Sequence, residues 1–243
     1  MEEKAFLIDI DRCTGCHSCT AACMLEHDLP EDQFWTRIES YEKGKFPGAR
    51  TSHIPTKRCM HCKEPGCMKV CSTGAIHKYE WGTVEIDQAK CNGCGYCMEG
   101  CPYLVPQMDK KTNKAVKCNM CIDTRMIEKG EEPACAKTCT MEAIRFGDRD
   151  ELLNEAKARK YKYVYGEKGL GGAHLFYVSS MIPIPDLGLP SSPSIPVSVT
   201  LWKEPVRYLG WLGFFGALAA SGYQYITWRR RQLEGGKDER KEK

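Results

Sequence analysis

The chain has 243 residues and a formal net charge of +3, from 35 Lys plus Arg and 32 Asp plus Glu. Basic residues are not concentrated on any predictable face, which argues against a nucleic-acid-binding protein. Cysteine is the exceptional component, with 16 residues. Residues 1–12 contain neither a basic region nor twin arginines, so we expect no signal peptide here. Because disulfide frameworks are typical of small secreted domains, this expectation weakens a disulfide interpretation of the cysteines. The composition therefore favours cysteines that bind metal over cysteines that form disulfides.

The cysteines fall into four runs, and a short predicted strand precedes two of them. Residues 6–11 (FLIDID) lead into the first run, and residues 83–87 (TVEID) lead into the third. A small helical turn that leads to a strand is predicted after the second and fourth runs, at residues 74–76 and 142–144. The runs are Cys13, Cys16, Cys19 and Cys23; Cys59, Cys62, Cys67 and Cys71; Cys91, Cys94, Cys97 and Cys101; and Cys118, Cys121, Cys135 and Cys139. The chain thus repeats one supersecondary pattern.

The spacing within the runs is that of bacterial ferredoxins. Runs one and three read C-x2-C-x2-C-x3-C, and run three also has the Pro that usually follows the last Cys, at Pro102. Runs two and four keep the opening C-x2-C and the closing C-x3-C but lengthen the gap between them. A tight loop with a Cys at every third position reaches three corners of a cubane cluster, and the last Cys then binds the cluster of a partner run. At four thiolates per cluster, the 16 cysteines predict four 4Fe-4S clusters.

The repeat also predicts which runs are partners. Runs two and three form one compact unit, and runs one and four pair around it. The last Cys of each run is then exchanged between partners, which gives four ligand sets. Set A is Cys13, Cys16, Cys19 and Cys139; set B is Cys118, Cys121, Cys135 and Cys23; set C is Cys59, Cys62, Cys67 and Cys101; and set D is Cys91, Cys94, Cys97 and Cys71. The triplets rest on the motif, whereas the exchanged fourth ligands rest on the repeat.

Zinc is the alternative metal. Tetrahedral four-thiolate zinc sites also use C-x2-C pairs, but they use separated pairs, so the third Cys of each run favours iron-sulfur clusters. A zinc-bound structural membrane protein stays open as the alternative from another functional class. The sequence contains no apparent nucleophile–base pair, nucleotide-binding glycine loop or open metal site. We therefore expect a non-catalytic electron carrier.

Two features outside the cysteine runs also give predictions. Basic residues surround run two and are expected to offset cluster charge, since an oxidised cubane with four thiolates carries about −2. These residues are Lys57, Arg58, Lys63 and Lys69. Residues 150–160 are typical of a surface helix, with Leu152, Leu153 and Ala156 facing inward.

The C-terminal part differs in character from the cysteine-rich part. Six of the 13 Pro lie in residues 183–205, which predicts an extended connector. Residues 208–228 carry no charge and at 1.5 Å each span about 31 Å, enough for one membrane crossing. Because Arg229, Arg230 and Arg231 follow at once, the positive-inside rule predicts a cytoplasmic C-terminus and clusters on the outer face. We expect an outer unit over residues 1–55 and 109–182, an inserted unit over 56–108, the connector over 183–205, a transmembrane helix over 206–228 and a charged tail over 229–243.

These features together resemble a known family of respiratory subunits. The four runs, the stretch from Tyr165 to Val178, the connector and the single C-terminal helix are similar to the four-cluster iron-sulfur (beta) subunit of respiratory molybdopterin oxidoreductases, especially that of membrane-bound formate dehydrogenase. The resemblance covers nearly the whole chain. It implies an α+β fold of two ferredoxin-like dicluster units, one inserted in the other, with four 4Fe-4S clusters and the exchanged ligands of sets A to D.

The resemblance also implies partners and a location. These are a molybdenum or tungsten pterin catalytic subunit, an integral membrane cytochrome b or quinone-reactive subunit, and membrane lipid, with no nucleic acid. The complex would lie in the cell membrane of a prokaryote, where a signal-bearing catalytic subunit carries the cluster unit to the periplasmic face. The iron-sulfur subunit of a membrane-bound nickel-iron hydrogenase or of a terminal reductase shares this plan and stays open as an alternative.

Overall fold

The computed structural model describes residues 2–45, 47–124, 126, 129–197, 199 and 207–238, with side chains of the last helix described from 209 to 229. The chain divides into two compact units, Met1–Pro196 and Val197–Lys243. The first unit holds every cysteine. Residues 200–206 of the predicted connector and helix, the side chains of Arg230 and Arg231, and residues 239–243 of the predicted tail lie outside the described part.

Short strands and helices alternate along the first unit, with the cysteine loops between them. The strands are β1 (Lys4–Asp9), β2 (Arg37–Lys43), β3 (Arg50–Thr56), β4 (Ile76–Lys78), β5 (Val84–Ile86), β6 (Gln107–Met108), β7 (Ala115–Val116), β8 (Ile144–Asp148), β9 (Tyr163–Tyr165) and β10 (Leu175–Ser179). The α-helices are α1 (Ser18–Glu26), α2 (Gly66–Val70), α3 (Tyr96–Glu99), α4 (Ala134–Lys137), α5 (Arg149–Ala158) and, in the second unit, α6 (Arg207–Asp238). Short 3-10 helices lie at Gly169–Gly171 and Ile184–Leu187. This mixture confirms the predicted α+β class.

A four-stranded sheet with the order β8-β1-β10-β9 forms the centre of the first unit. β1 runs parallel to β10 and antiparallel to β8, and β9 runs antiparallel to β10. Because side chains alternate between the faces of a strand, β1 sends Ala5 and Leu7 to one face and Phe6 and Ile8 to the other. The first face is covered by α5 through the predicted residues Leu152, Leu153 and Ala156. The second face is left for the cysteine loops.

The second face of the sheet supports the cysteines of runs one and four. Phe6 and Ile8 pack in one buried cluster with Cys19 and Cys135. Helix α1, which carries Cys19, packs against α4, which carries Cys135. The sheet therefore gives these two thiols a fixed, apolar backing.

The repeat expected from the sequence is visible in the strand pairing. β4 pairs antiparallel with β5, and α2 packs against α3. β8 pairs antiparallel with β1, and α1 packs against α4. β4 and β8 begin at Ile76 and Ile144, the last residues of the two predicted turns. These pairings agree with two ferredoxin-like units, while the unit boundaries stay a prediction.

Several elements of the first unit are absent from the sequence-based prediction, among them a hairpin and a 3-10 helix. β2 and β3 form an antiparallel hairpin between runs one and two. The predicted extended connector instead begins with the 3-10 helix Ile184–Leu187, whose two end residues are buried in the core. Pro is compatible with the first turn of a helix, because the N–H that it lacks would have no partner there.

Helix α6 runs past the predicted end at residue 228 and continues to Asp238. The residues after Trp228 include Arg, Gln, Leu and Glu, which favour helix, so the charged segment prolongs it. Within the described residues, no helix combines the length and the mean hydropathy required to cross a membrane.

Candidate metal centres

All 16 cysteines are free thiols, and each run ends on or just after a short helix. Glycines in left-handed conformation bend the loops that precede these helices, among them Gly15 (φ 73°) and Gly93 (φ 74°). Both are also in close contact with other segments: a Cβ at Gly15 would lie 2.7 Å from the His53 ring, and one at Gly93 would lie 2.1 Å from the carbonyl oxygen of Asn113. The C-x-G-C segments therefore need glycine both for the turn and for the close approach.

The structure gathers the four cysteines of set C around one hollow. The free space in and at the mouth of this hollow, counting the part open to solvent, is about 360 Å³, and its lining includes Cys59, Cys62, Cys67 and Cys101. Three of these come from run two, and Cys101 is the last residue of run three. The exchanged fourth thiol therefore lies beside the triplet with which the repeat pairs it.

The cysteines of set A line a second hollow of similar size. Its empty space is about 330 Å³, and its lining includes Cys13, Cys16, Cys19 and Cys139. Cys139 is the last residue of run four, 120 positions or more from the other three along the chain. The exchange between runs one and four thus has the same form as the exchange between runs two and three.

The thiols of sets B and D lie close enough together to influence one another electrostatically. Burial raises the pKa of the Cys23 thiol well above its usual range, and the charges of Cys118, Cys135 and Cys121 add to that rise. Burial likewise raises the pKa of Cys97 to about 11, with contributions from Cys91, Cys94 and Cys71. Cys23 and Cys71 are therefore near the triplets of their partner runs.

Neutral thiols are favoured at most of these positions in the absence of a compensating cation. Burial raises the pKa of Cys67 to about 12 and that of Cys118 to about 11. Iron ions supply the positive charge that holds buried sulfurs as thiolates, and four inward-facing thiols are the donor set of a cubane. Among the described residues, no three His, Cys, Asp or Glu side chains are arranged to bind one metal ion together. The thiols and their hollows thus fit 4Fe-4S clusters.

The four sets are neighbours in a series. The charge of Cys135 in set B contributes to the raised pKa of Cys19 in set A, after burial as the main cause. In the same way, Cys59 of set C contributes to the raised pKa of Cys118 in set B, and Cys97 of set D contributes to that of Cys67 in set C. The order is therefore A, B, C, D. Cys16 in set A and Cys94 in set D are exposed, so both end sets reach the surface.

Two buried cations lie along this series. Arg58 donates from Nη2 to the Sγ of Cys135 at 3.3 Å. Lys117, in the lining of the set C hollow, donates from Nζ to the carbonyl oxygens of Val84 and Cys118. The sequence pointed to Arg58 as a compensating charge but missed Lys117, although its place directly before Cys118 was an available signal.

Two of the other basic residues near run two, Lys63 and Lys69, have carboxylate partners. Lys63 pairs with Glu3 at 3.0 Å, and Lys69 pairs with Glu64 at 3.3 Å. Both lysines are partly exposed, so solvent screens their charges. Among the four basic residues predicted near run two, Arg58 is the one that the structure shows in contact with a cysteine sulfur.

Comparison with known proteins identifies the family. The family described as "4Fe-4S dicluster domain" matches residues 51–149, and the family described as "Formate dehydrogenase N, transmembrane" matches residues 195–237. The iron-sulfur subunit of nitrate-inducible formate dehydrogenase of Escherichia coli (strain K12) is 37% identical over 255 residues, covering 92% of this chain and 85% of that subunit. The formate dehydrogenase iron-sulfur subunit of Haemophilus influenzae is 36% identical, covering 93% and 80%.

A partial match extends to the electron transfer subunit of a different reductase. The thiosulfate reductase electron transfer subunit of Salmonella typhi is 39% identical over 151 residues, covering 61% of this chain and 78% of that subunit. The two formate dehydrogenase subunits, by contrast, align with nearly the whole chain. The resemblance inferred from the cysteine runs and the assignment of 4Fe-4S clusters are thereby confirmed, and the chain belongs to the family of formate dehydrogenase iron-sulfur subunits.

Proposed function

We propose that this chain is the electron-transfer subunit of a membrane-bound formate dehydrogenase. Bound 4Fe-4S clusters supply one-electron oxidation and reduction, and the residues of the chain hold them in a series. The observation that carries the proposal is the unbroken sequence of neighbouring sets from the exposed Cys16 to the exposed Cys94. The relatives are named as iron-sulfur or electron transfer subunits, which supports a non-catalytic role.

Sets A to D are our assignment of the 16 ligands. Sets A and C are supported by the two hollows that each gather four thiols. Sets B and D are supported by the electrostatic neighbours of Cys23 and Cys97. The same exchange of fourth ligands supports an inserted unit over residues 56–108 within an outer unit over 1–55 and 109–182.

The four sets differ in how deeply their cysteines are buried. In set B, Cys23, Cys121 and Cys135 are buried, whereas each end set has one exposed cysteine. Solvent exposure is one of the factors that set the potential of an iron-sulfur cluster. The cysteines of the interior sets B and C are therefore less exposed to water than those of the end sets, which are accessible to electron donors and acceptors.

The proposed partners lie at the two ends of the series. One is a molybdenum or tungsten pterin catalytic subunit, and the other is a membrane cytochrome b or quinone-reactive subunit. Electrons enter from one and leave to the other. The exposure of Cys16 and Cys94 supports one docking point in set A and one in set D.

Helix α6 is the membrane element of this proposal. Its large apolar side chains, including Trp211, Phe215 and Leu218, are more than half exposed. A helix with such a surface suits lipid or a partner helix, and the transmembrane family match includes most of it. The proposal puts the C-terminus in the cytoplasm and the clusters on the periplasmic side of a prokaryotic cell membrane.

A terminal reductase subunit is the second candidate function, because the thiosulfate reductase relative also matches. That match covers 61% of this chain, whereas the two formate dehydrogenase matches cover 92% and 93%. Formate is therefore the first electron donor to test.

The test uses anaerobic membranes that contain the intact complex. Parallel samples receive formate, hydrogen or no donor, and reduced clusters are detected by low-temperature EPR; membranes without this chain are the control. Formate should produce reduced-cluster signals that the control membranes lack. Reduction by hydrogen alone would assign the chain to a hydrogenase, and oxidation of prereduced clusters by thiosulfate without reduction by formate would assign it to a terminal reductase.

A further inference from the structure

Arg58 lies where sets A and B meet, and it is only 3% exposed to solvent. Its Nη2 donates to the Sγ of Cys135 in set B at 3.3 Å. Its guanidinium carbon lies 4.5 Å from the centre of the Phe6 ring, whose side chain packs in the same buried cluster as Cys19 of set A. The guanidinium is thus held between an aromatic ring and a cysteine sulfur.

No carboxylate in the described part of the chain forms an ion pair with this guanidinium. Its Nε and Nη1 atoms are buried and make no hydrogen bond within the described part of the chain, and its Nη2 contacts a sulfur. A buried cation without an anion is strongly unfavourable. The compensating anion is available from the cysteine sets, since an oxidised cubane with four thiolates carries about −2.

The influence of Arg58 extends to sets A and B. The Arg58 guanidinium lies close enough to the sulfurs of Cys19, Cys23 and Cys118 to interact electrostatically with all three. Two of these thiols belong to set B, as does Cys135, the sulfur in direct contact. Set B is therefore the set on which the charge of Arg58 acts most closely.

We propose that Arg58 is a positioning residue that raises the reduction potential of the cluster in set B, acting through Cys135. One electron from a neighbouring cluster adds one negative charge to this cluster, and a fixed cation beside it stabilises that charge. Hydrogen bonds to cluster sulfurs and local charge are among the factors that set such potentials. The inference rests on the proposed function, because it requires a cluster in set B.

Lys137 provides a matched control for the loss of one positive charge. It lies two residues after Cys135, but its side chain is 61% exposed and pairs with Glu131 at 3.0 Å. Solvent and the carboxylate screen its charge, so its removal should have little effect on a buried cluster.

The experiment compares wild type, Arg58→Met, Arg58→Lys and Lys137→Met in the intact complex, purified anaerobically. Iron is counted for each, and potentials are measured by EPR-monitored redox titration, with the set B signal identified by its loss in Cys118→Ser. At the wild-type midpoint potential, Arg58→Met should lower the ratio of reduced to oxidised set B cluster about tenfold, a 59 mV decrease for a one-electron couple. Arg58→Lys should lower it less, because the shorter side chain keeps the charge but moves it from Cys135. Lys137→Met should change it less than about twofold.

Two results would overturn the proposal: an unchanged set B potential in Arg58→Met with full iron content, or an equal decrease in Lys137→Met. If Arg58→Met does not retain the set B iron, Arg58→Lys decides, since a lowered ratio supports the proposal and a wild-type ratio rejects it. In both cases a wild-type complex that is reduced by formate leaves the proposed function intact.

Discussion

Among single residues, the glycines of the cysteine loops have the most direct effect on where the thiols lie. Gly93 sits between Cys91 and Cys94 with a φ of 74°, a conformation that costs a residue with a Cβ about 1–2 kcal/mol. Its Cα also faces the carbonyl oxygen of Asn113, with no room for a side chain. The loop that presents Cys91 and Cys94 therefore depends on this glycine.

Replacing Gly93 by Ala should disrupt set D for two reasons: the positive φ disfavours a residue with a Cβ, and the added Cβ has no room. The added Cβ would meet the Asn113 oxygen at 2.1 Å, so the loop has to move. We expect the purified protein to lose about four of about 16 iron atoms. Gly130→Ala is the control, because Gly130 has a φ of 73° and nothing within 4 Å of an added Cβ. Equal iron content in the two variants would contradict the account.

The exchange of ligands between runs is tested by Cys23→Ser. If Cys23 completes set B, this variant should lose the same EPR signal as Cys118→Ser and keep the signal lost in Cys13→Ser. Removing one thiolate from a closed site should leave either a three-iron remnant or an unfolded outer unit, because metal binding and folding are coupled. Loss of the signal that depends on Cys13, with the Cys118 signal intact, would reject the exchange.

The sequence alone predicts the cysteine triplets and includes Arg58 among the compensating cations, but it predicts neither Lys117 nor the contacts that the two cations make. Spacing identifies the triplets because one loop holds them. Arg58 and Lys117 acquire their positions through contacts between distant segments: Arg58 reaches Cys135, and Lys117 reaches the carbonyl oxygen of Val84. Such contacts leave no periodic pattern in the chain.

Among the elements, α5 shows how local sequence and packing agree. Asp148 accepts hydrogen bonds from the backbone N–H groups of Asp150 and Glu151, which caps the helix. The inward residues Leu152 and Ala156 then cover the face of the sheet opposite the cysteines. The helix thereby buries the face of the sheet that lies opposite the cysteines.

Removing the cap should weaken the fold without removing iron ligands. Asp148→Ala should lower the free energy of unfolding by about 1 kcal/mol, whereas Asp148→Asn should keep most of it. Anaerobic thermal denaturation measures the difference, with iron content as a second readout. Asn154→Ala, an exposed position in the same helix, should be neutral or slightly stabilising. A cap variant as stable as wild type would contradict this role.

The hairpin of β2 and β3 shows the limit of prediction at this scale. β2 (RIESYEK) has only Ile38 fully buried, so its apolar alternation is weak. The short strands β4 and β8 were predictable because each follows the last Cys of a run by a fixed distance. The hairpin has no such motif beside it, and its two strands, β2 and β3, pair with each other.

At the scale of the whole molecule, the first unit and helix α6 of the second unit have different functions in our proposal. The first unit holds the series of sets, and the second consists mainly of a helix with exposed apolar side chains. Gly, Ala, Tyr and Trp keep the mean hydropathy of α6 moderate, and among the described residues no helix is long and apolar enough to cross a membrane. The membrane role proposed for α6 therefore rests on the family match over residues 195–237 and on its exposed apolar side chains.

The proposed orientation is tested with reporters fused after Lys243 in the intact complex. A fluorescent protein should be active and alkaline phosphatase inactive, because the positive-inside rule puts Arg229 to Arg231 in the cytoplasm. Protease added to spheroplasts should digest the cluster unit. Protection of that unit with an active phosphatase would reverse the orientation.

The most direct test of the central claim is the metal content of the anaerobically purified protein. Four cubanes predict on the order of 16 iron and 16 acid-labile sulfide per chain, with EPR signals that appear on reduction. Zinc, measured in the same samples, should be far below one equivalent per ligand set. Stoichiometric zinc with negligible iron and no EPR signal would contradict the account and identify a structural metal protein instead.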